Sequence, residues 1–374
     1  MSRLPGLDLL RAVAIVWVLL YHATIMGLGE PVPAVAELGW MGVDLFFVLS
    51  GYLIGAQWLS AVRDGRARFG RFYLRRALRI LPAYGVVTAL YFALPSARER
   101  PQIQPLWQFL TFTENLLIDL DAPRAFSHVW SLCVEEHFYL LFPPLAGLLA
   151  RRPSARRTAA ALLGVLLAGV ALRAGIWQLG LAPLLEVHEG AGNFYQRYME
   201  WIYYPSWTRL DGLLGGVALA ALHVFRPATW AALTRRGDAL MLAGALTLAC
   251  SFQVMAEREA LLPTALGYPL LSAGLTLIVA AGASPGSLLG RIRVPGAAAL
   301  ATLAYSVYLS HKLVFHALHS RFREALERGG WAAAALVCAA TLLAGAALYG
   351  AVERPGLLLR ERLLRREAER ARAR

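Results

Sequence analysis

The chain has 374 residues, of which 58% are hydrophobic and only 16% charged; soluble domains run at roughly 45–50% apolar and about 25% charged. With a mean hydropathy of +0.51, that balance excludes a disordered chain and argues against a soluble enzyme or a cytosolic nucleic-acid binder. The formal charge of +13 rests on 36 Arg and one Lys, so where the arginines sit decides what the charge is for.

A helix needs about 20 mostly apolar residues to cross a bilayer, because in lipid every backbone amide must be bonded within the segment. Ten stretches qualify, at about 8–28, 38–60, 77–95, 127–149, 158–180, 206–225, 238–256, 262–283, 297–319 and 331–352. The first lacks a small-residue cleavage site and nine more follow, so it reads as an uncleaved first helix. The pattern predicts an all-α, polytopic integral membrane protein with both termini cytoplasmic. Cys133, Cys250 and Cys338 lie far apart in apolar stretches with no metal spacing, which supports neither a disulfide framework nor a zinc site. No internal repeat is evident.

The arginines then sort by side. Inside segments hold Arg63, Arg66, Arg68, Arg71, Arg75, Arg76 and Arg79, then Arg151, Arg152, Arg156 and Arg157. Arg226, Arg235, Arg236, Arg291 and Arg293 follow, and then a tail from Arg354 to Arg374. Alternate loops carry few, such as Arg98, Arg100, Arg124 and Arg197, with Arg258 flanked by Glu257 and Glu259. The loop at 321–330 is an exception, with Arg321, Arg323 and Arg328 against Glu324 and Glu327. This is positive-inside asymmetry, and it accounts for the charge without nucleic acid. The expected division is a membrane-embedded domain over 1–356 and a basic cytoplasmic tail over 357–374.

Ionisable side chains inside spans are costly and mark function by default. In the first span Arg11 and His22 are 11 residues apart, which places them on one helical face, about 16 Å apart along the axis at 1.5 Å per residue. Asp44, in the second span, lies at a depth comparable to His22 and is its expected partner. In the fourth span His128, Ser131 and Glu135 share a face, while Glu136 and His137 read as structural. The ninth holds Tyr305, Tyr308 and His311 before Lys312, with His316 and His319 at the interface. Arg75, Arg76 and Arg79, with Arg11 expected nearby, suit either a topology anchor or a polyphosphate held by bidentate guanidinium contacts.

A membrane-embedded imidazole near carboxylates, with no serine elbow, Walker loop or GxGxxG, points to proton abstraction from a hydroxyl. Acyl transfer from a cytosolic thioester needs that base, a cationic site on the inner face and an outward acceptor pocket. At this point a resemblance becomes visible. The segments LDLLRAVAIVWVLLYHA, GVDLFFVLSGYLIG, FYLRRALRILPAY, HVWSLCVEEHFYLLFP, TRLDGLLGGVALA and YSVYLSHKLVF, with the late Glu353-Arg354-Pro355, resemble the membrane acyltransferase 3 family in the same order, from about residue 4 to 356.

The resemblance implies O-acylation, commonly O-acetylation, of a sugar or other hydroxyl acceptor, with acyl-CoA (acetyl-CoA by expectation) as donor and no metal. It implies His22 as essential base, with Arg11 its paired motif residue. Asp44 and Glu135 match the family's buried acids, with one or the other expected to orient His22, and Arg75, Arg76 and Arg79 its basic cytoplasmic motif, expected to hold the CoA phosphates. His128, Ser131, Tyr305 and His311 join the donor- or substrate-binding candidates. His137 stands where the family more often has glutamine. The expected partners are acyl-CoA, a saccharide, lipid-linked sugar or small-metabolite acceptor, and membrane lipid; the expected location is the bacterial inner membrane. Ending after a short basic tail, the chain is expected to pass the acyl group directly to an acceptor or to a separate protein. Trp107, Phe109, Phe112, Phe126, Phe194, Tyr195 and Trp201 in the outer loops suit stacking on a sugar or an interfacial belt. The alternative is a transporter or flippase using the same charges, which predicts inverted repeats and interrupted helices in matching halves; the sequence shows neither.

Overall fold

The computed structural model describes residues 4–26, 34–122, 124–151, 154–185, 190–257, 260–328 and 330–372. Arg152, Arg258, Glu259 and Arg374 lie outside the described residues, as does the side chain of Glu327. Among the described residues there is an isolated β-bridge between Gln102 and Arg124 but no strand; the rest is helix and connection.

Helix α1 (Pro5–Ile25) opens on a proline, whose fixed φ and missing N–H suit a first helical position. It is followed by α2 (Met41–Arg63), α3 (Phe69–Ala93) and α4 (Trp130–Ala150), the last entered through a 3-10 turn at Ser127–Val129. Helix α5 (Ala155–Ile176) is capped by Ser154, whose side chain accepts from the Arg157 amide. Then come α6 (Asp211–Phe225), α7 (Gly237–Val254), α8 (Tyr268–Gly282), α9 (Ala297–Arg328), α10 (Gly330–Leu348) and α11 (Arg354–Arg372).

Among the described residues eight helices are long and apolar enough to cross a membrane, or nine if the bent pair Asp211–Phe225 and Pro227–Thr234 is one span. The chain is a multi-pass membrane protein. Two of the ten expected spans account for the difference. Helix α3 forms where expected, but Arg71, Arg75, Arg76 and Arg79 occupy its first half. The sixth expected span is the 15-residue α6 followed by a 115° bend. Pro227 makes that bend: it pushes Arg226 out of the helical region, to φ −134 and ψ 59, because a proline ring clashes with a helical predecessor.

At the centre of the bundle α1 packs against α2, α8 and α9, and α6 packs on α2 and α8. Helices α1 and α2 run antiparallel, Gly39 meeting Trp17 and Gly42 meeting Ala14. Helices α2 and α6 cross closely at Gly51 and Gly216. A Cβ added at Gly51 would lie 2.2 Å from the Leu213 carbonyl oxygen, and one at Gly216 2.2 Å from that of Val48. Small residues allow such backbone approach, which drives helix association in lipid. The start of α1, the end of α2, the start of α3 and α11 thus gather at one arginine-rich end. The end of α1, the start of α2 and the 94–126 connection form the opposite end.

Candidate active site

Three imidazoles meet toward that opposite end. His22 sits near the end of α1, His128 in the turn entering α4, and His311 in the middle of α9. The ring centroids are 4.8 Å apart for His22 and His311, 4.7 Å for His128 and His311, and 6.4 Å for His22 and His128. Each ring hydrogen-bonds a backbone carbonyl: His22 Nδ1 to Val18 O at 3.0 Å, His311 Nδ1 to Tyr308 O at 2.6 Å and His128 Nε2 to Leu309 O at 3.3 Å. A carbonyl only accepts, so each bonded nitrogen carries the proton and the other presents a lone pair. Among the described residues, His128 Nδ1 and His311 Nε2 are buried with no hydrogen-bond partner. His22 is only half-buried, so its free nitrogen is on the most approachable of the three rings.

The cluster is braced from both sides. Tyr308 donates to the His128 carbonyl at 2.5 Å, which leaves Ser131 to donate to the Tyr308 oxygen at 2.7 Å. Above, Lys312 donates to Ser127 Oγ at 3.0 Å and lies 3.9 Å from Glu99. Glu99 accepts from the amide of Phe126 at 2.9 Å. Phe126 adopts φ 64 and is fully buried, stacked on Tyr91 and edge-on to His128. The long connection is thereby fastened over the imidazoles. Phe109 and Phe126 belong to this packed core, which corrects the sugar-stacking expectation for those two.

A cavity of about 160 Å³ approaches the cluster from the arginine end. Arg11, Arg76 and Arg79 line it together with Ser50, Glu135 and Tyr305, and Ser131 and Tyr308 reach it beneath the imidazoles. At the other end a second cavity of about 160 Å³ is lined by Tyr21, Trp40, Phe194, Tyr195, Tyr198, Met199, Tyr203, Met255 and Tyr268. Among the described residues no charged side chain lines it. Tyr21 touches His22 edge-on at 5.7 Å, and Tyr308 lies 5.4 Å from His128. The imidazoles thus stand as a septum between Tyr21 of one cavity and Tyr308 of the other, without themselves lining either. The expected site residues that come together here are Arg11, His22, Arg76, His128, Ser131, Glu135, Tyr305 and His311.

Three expectations are corrected. Asp44 does not pair with His22: both of its oxygens accept from Arg209 Nη2, at 2.8 and 3.0 Å. The Arg209 guanidinium is wedged between the rings of Tyr203 and Tyr268, with centroids 4.4 and 4.3 Å away, where a buried cation demands a carboxylate. Glu135 does not reach His22 as its partner either; its Oε1 accepts from Ser50 at 2.5 Å on the cavity wall. Arg79 is not an unpaired cation: it lines the cavity while one of its nitrogens donates to Glu353, whose second oxygen accepts from Ser306 at 2.6 Å. Glu353 sits in a single π-turn, Tyr349–Glu353, which rotates it inward. Arg75 keeps its expected place at the arginine end, in the first half of α3. Tyr305 lends its hydroxyl to the Ile80 carbonyl at 2.9 Å.

Two buried cations were missed. Arg209 is one; the other is Arg173, fully buried on α5, bidentate to Asp211 at 2.8 and 3.0 Å and bonded to Thr208 O at 2.6 Å. An arginine inside an apolar run is itself the signal for such a pair. Among the described residues no group of three or more His, Cys, Asp and Glu side chains is placed to hold a metal ion.

The family model described as "Acyltransferase domain" matches residues 4–350. The chain is 30% identical to a Staphylococcus aureus (strain COL) protein named "Putative O-acetyltransferase SACOL0978", over 59% of this chain and 35% of that protein. It is 26% identical to "O-acetyltransferase OatA" of Staphylococcus aureus (strain NCTC 8325 / PS 47), over 82% of this chain and 50% of that protein. The chain thus spans between a third and a half of the length of the curated relatives it matches. No solved structure matches it. With the match running from the first residues of α1 to the π-turn that carries Glu353, and so across every helix that builds the imidazole septum, the chain belongs to the Acyltransferase domain family.

Proposed function

We propose that this protein is an acyl-CoA-dependent O-acyltransferase that works across the membrane, with acetyl-CoA as donor and a hydroxyl-bearing acceptor such as a saccharide, lipid-linked sugar or small metabolite. The positive-inside pattern supports placing the arginine end in the cytosol of a bacterial cell, with residues 1–356 as the acyltransferase body. The donor's acyl arm enters the cavity below the septum; the acceptor hydroxyl arrives from the aromatic cavity above. His22 uses its Nε2 lone pair to take the hydroxyl proton. The oxygen attacks the thioester carbonyl, an ester forms, the carbon–sulfur bond breaks, and the imidazolium returns the proton to the leaving thiolate. Orientation of His22, expected from Asp44 or Glu135, falls to the Val18 carbonyl, which fixes the Nδ1–H tautomer.

The observation that carries this reading is the position of His22, His128 and His311 between two cavities, one lined by arginines and one by uncharged aromatics. Purified protein incubated with radiolabelled acetyl-CoA and a panel of hydroxyl acceptors tests it. Transfer of label to any acceptor supports the reading. Failure of the protein to bind acetyl-CoA or to release CoA with any of them overturns it.

A further inference from the structure

The basic C-terminal segment is more than a tail. Helix α11 (Arg354–Arg372) begins immediately after the π-turn that Arg79 and Ser306 hold through Glu353. It then packs along α3. Two contacts fix the register. Gly356 abuts the Leu78 carbonyl and the Pro82 ring, where an added Cβ would lie 2.9 Å and 3.0 Å away; eleven residues later Glu367 lies 3.9 Å from Arg68. The helices are therefore antiparallel, and midway between these contacts Arg360 comes opposite Arg75.

That register brings like charges together. Arg75 lies within electrostatic reach of Arg71 and Arg360, with Glu367 as the opposing acid. Arg76, which lines the lower cavity, also feels the charge of Arg360. Arg71 and Arg75 are four residues apart on one helix, a spacing at which like charges repel. The Nε of Arg71 is buried with no hydrogen-bond partner among the described residues. Guanidinium groups gathered around one cavity-lining arginine, one of them with an idle donor, fit a ligand carrying several phosphate charges, since each fork matches a phosphate bidentately.

We propose that Arg360 of α11 joins Arg71, Arg75 and Arg76 of α3 in a phosphate clamp that holds the polyphosphate end of the donor at the mouth of the lower cavity. The proposal rests on the acyl-CoA reading and deepens it: Arg79 drops out of the phosphate site, and the C-terminal helix enters it. The same guanidiniums would also suit the phosphate of an anionic lipid headgroup.

Equilibrium binding of CoA, and of pantetheine, which has no phosphate, to the full-length protein separates these sources. The protein is reconstituted in discs of phosphatidylcholine alone or with phosphatidylglycerol. R360Q should bind CoA about tenfold more weakly than wild type in phosphatidylcholine discs, with R360K intermediate and pantetheine binding unmoved. R362Q, at an exposed position of the same helix, should bind CoA as wild type does. Equal CoA affinity of R360Q and wild type overturns the clamp, as does an equal loss of CoA and pantetheine binding. A difference confined to phosphatidylglycerol discs gives the cluster to lipid and overturns it too. Wild type that binds no CoA in either disc instead overturns the acyl-CoA reading beneath it.

Discussion

His22 and His311 face each other across the α1–α9 contact with ring centroids 4.8 Å apart and planes inclined at 54°. Each gives its Nδ1 proton to a carbonyl of its own helix, so neither ring depends on a carboxylate for its tautomer. His22 differs in being half-buried and in touching Tyr21 of the upper cavity. A general base contributes about 10²–10⁴ in rate. H22A is accordingly expected to lower acyl-transfer kcat by about two to four orders of magnitude while leaving CoA affinity near that of wild type. Steady-state transfer and equilibrium binding on the same preparation check this. Full turnover by H22A would remove the residue from the chemistry.

Asp44 was expected beside His22 and is found on Arg209. Both side chains are buried, at 2% and 1% exposure, and removal of one partner leaves a naked charge. Breaking a buried pair from one side costs about 3–5 kcal/mol. D44A is therefore expected to lose thermal stability in detergent, and D44A/R209A to recover part of the loss because no charge is left unpaired. Activity of D44A should fall in proportion to folded protein. A D44A protein that melts as wild type does yet fails to transfer would restore Asp44 to a chemical role.

Glu353 ties three helices together: Arg79 of α3 donates to one oxygen and Ser306 of α9 to the other, while its own π-turn leads into α11. Arg79 is partly exposed, so solvent screens some of the attraction. E353Q is expected to weaken the junction by up to about 1.5–3 kcal/mol, the range for a hydrogen bond to a charged group. The readout is hydrogen exchange of the amides of α11, which should quicken relative to those of α1. Unchanged exchange would mean that packing of Gly356 against Leu78 and Pro82 holds α11 without the ion pair.

Much of this was legible in the sequence. The helices followed from apolar runs, because lipid leaves the backbone no other arrangement. The Arg11–His22 face followed from helical periodicity alone, and His128, Ser131 and His311 from their being polar where polarity is costly. What stayed hidden was pairing across helices. Asp44 and Arg209 are 165 residues apart, and nothing along the chain says which of several buried charges meets which. Sorting arginines by loop also concealed Arg173 and Arg209, which lie within apolar stretches and belong to the interior. The bend after α6 was readable in retrospect from Pro227. The docking of α11 was not, since a run of arginines looks the same whether it lies in solvent or along another helix.

Glu114 gives a test that does not depend on catalysis. It sits in the connection between α3 and α4, outside the spanning helices, with 0% exposure. Neither carboxyl oxygen has a hydrogen-bond partner among the described residues. Burial pushes its pKa well above the usual glutamate range, and the attraction of Lys312 offsets this only in part. A group whose folded pKa is raised binds its proton more tightly in the folded protein. Its contribution is thus fully favourable below the unfolded value of about 4.3 and is lost as pH rises through the folded pKa, at about 1.4 kcal/mol per unit of separation. Relative to E114Q, wild type should therefore lose thermal stability in detergent as pH is raised from 4 toward 9, since every other titrating group is common to the two proteins. E114Q, uncharged throughout and nearly the same shape, should lose less over that interval and melt higher than wild type at the alkaline end. Parallel melting curves for the two proteins across the series would show that Glu114 is ionised in the fold and compensated by groups other than those packed against it.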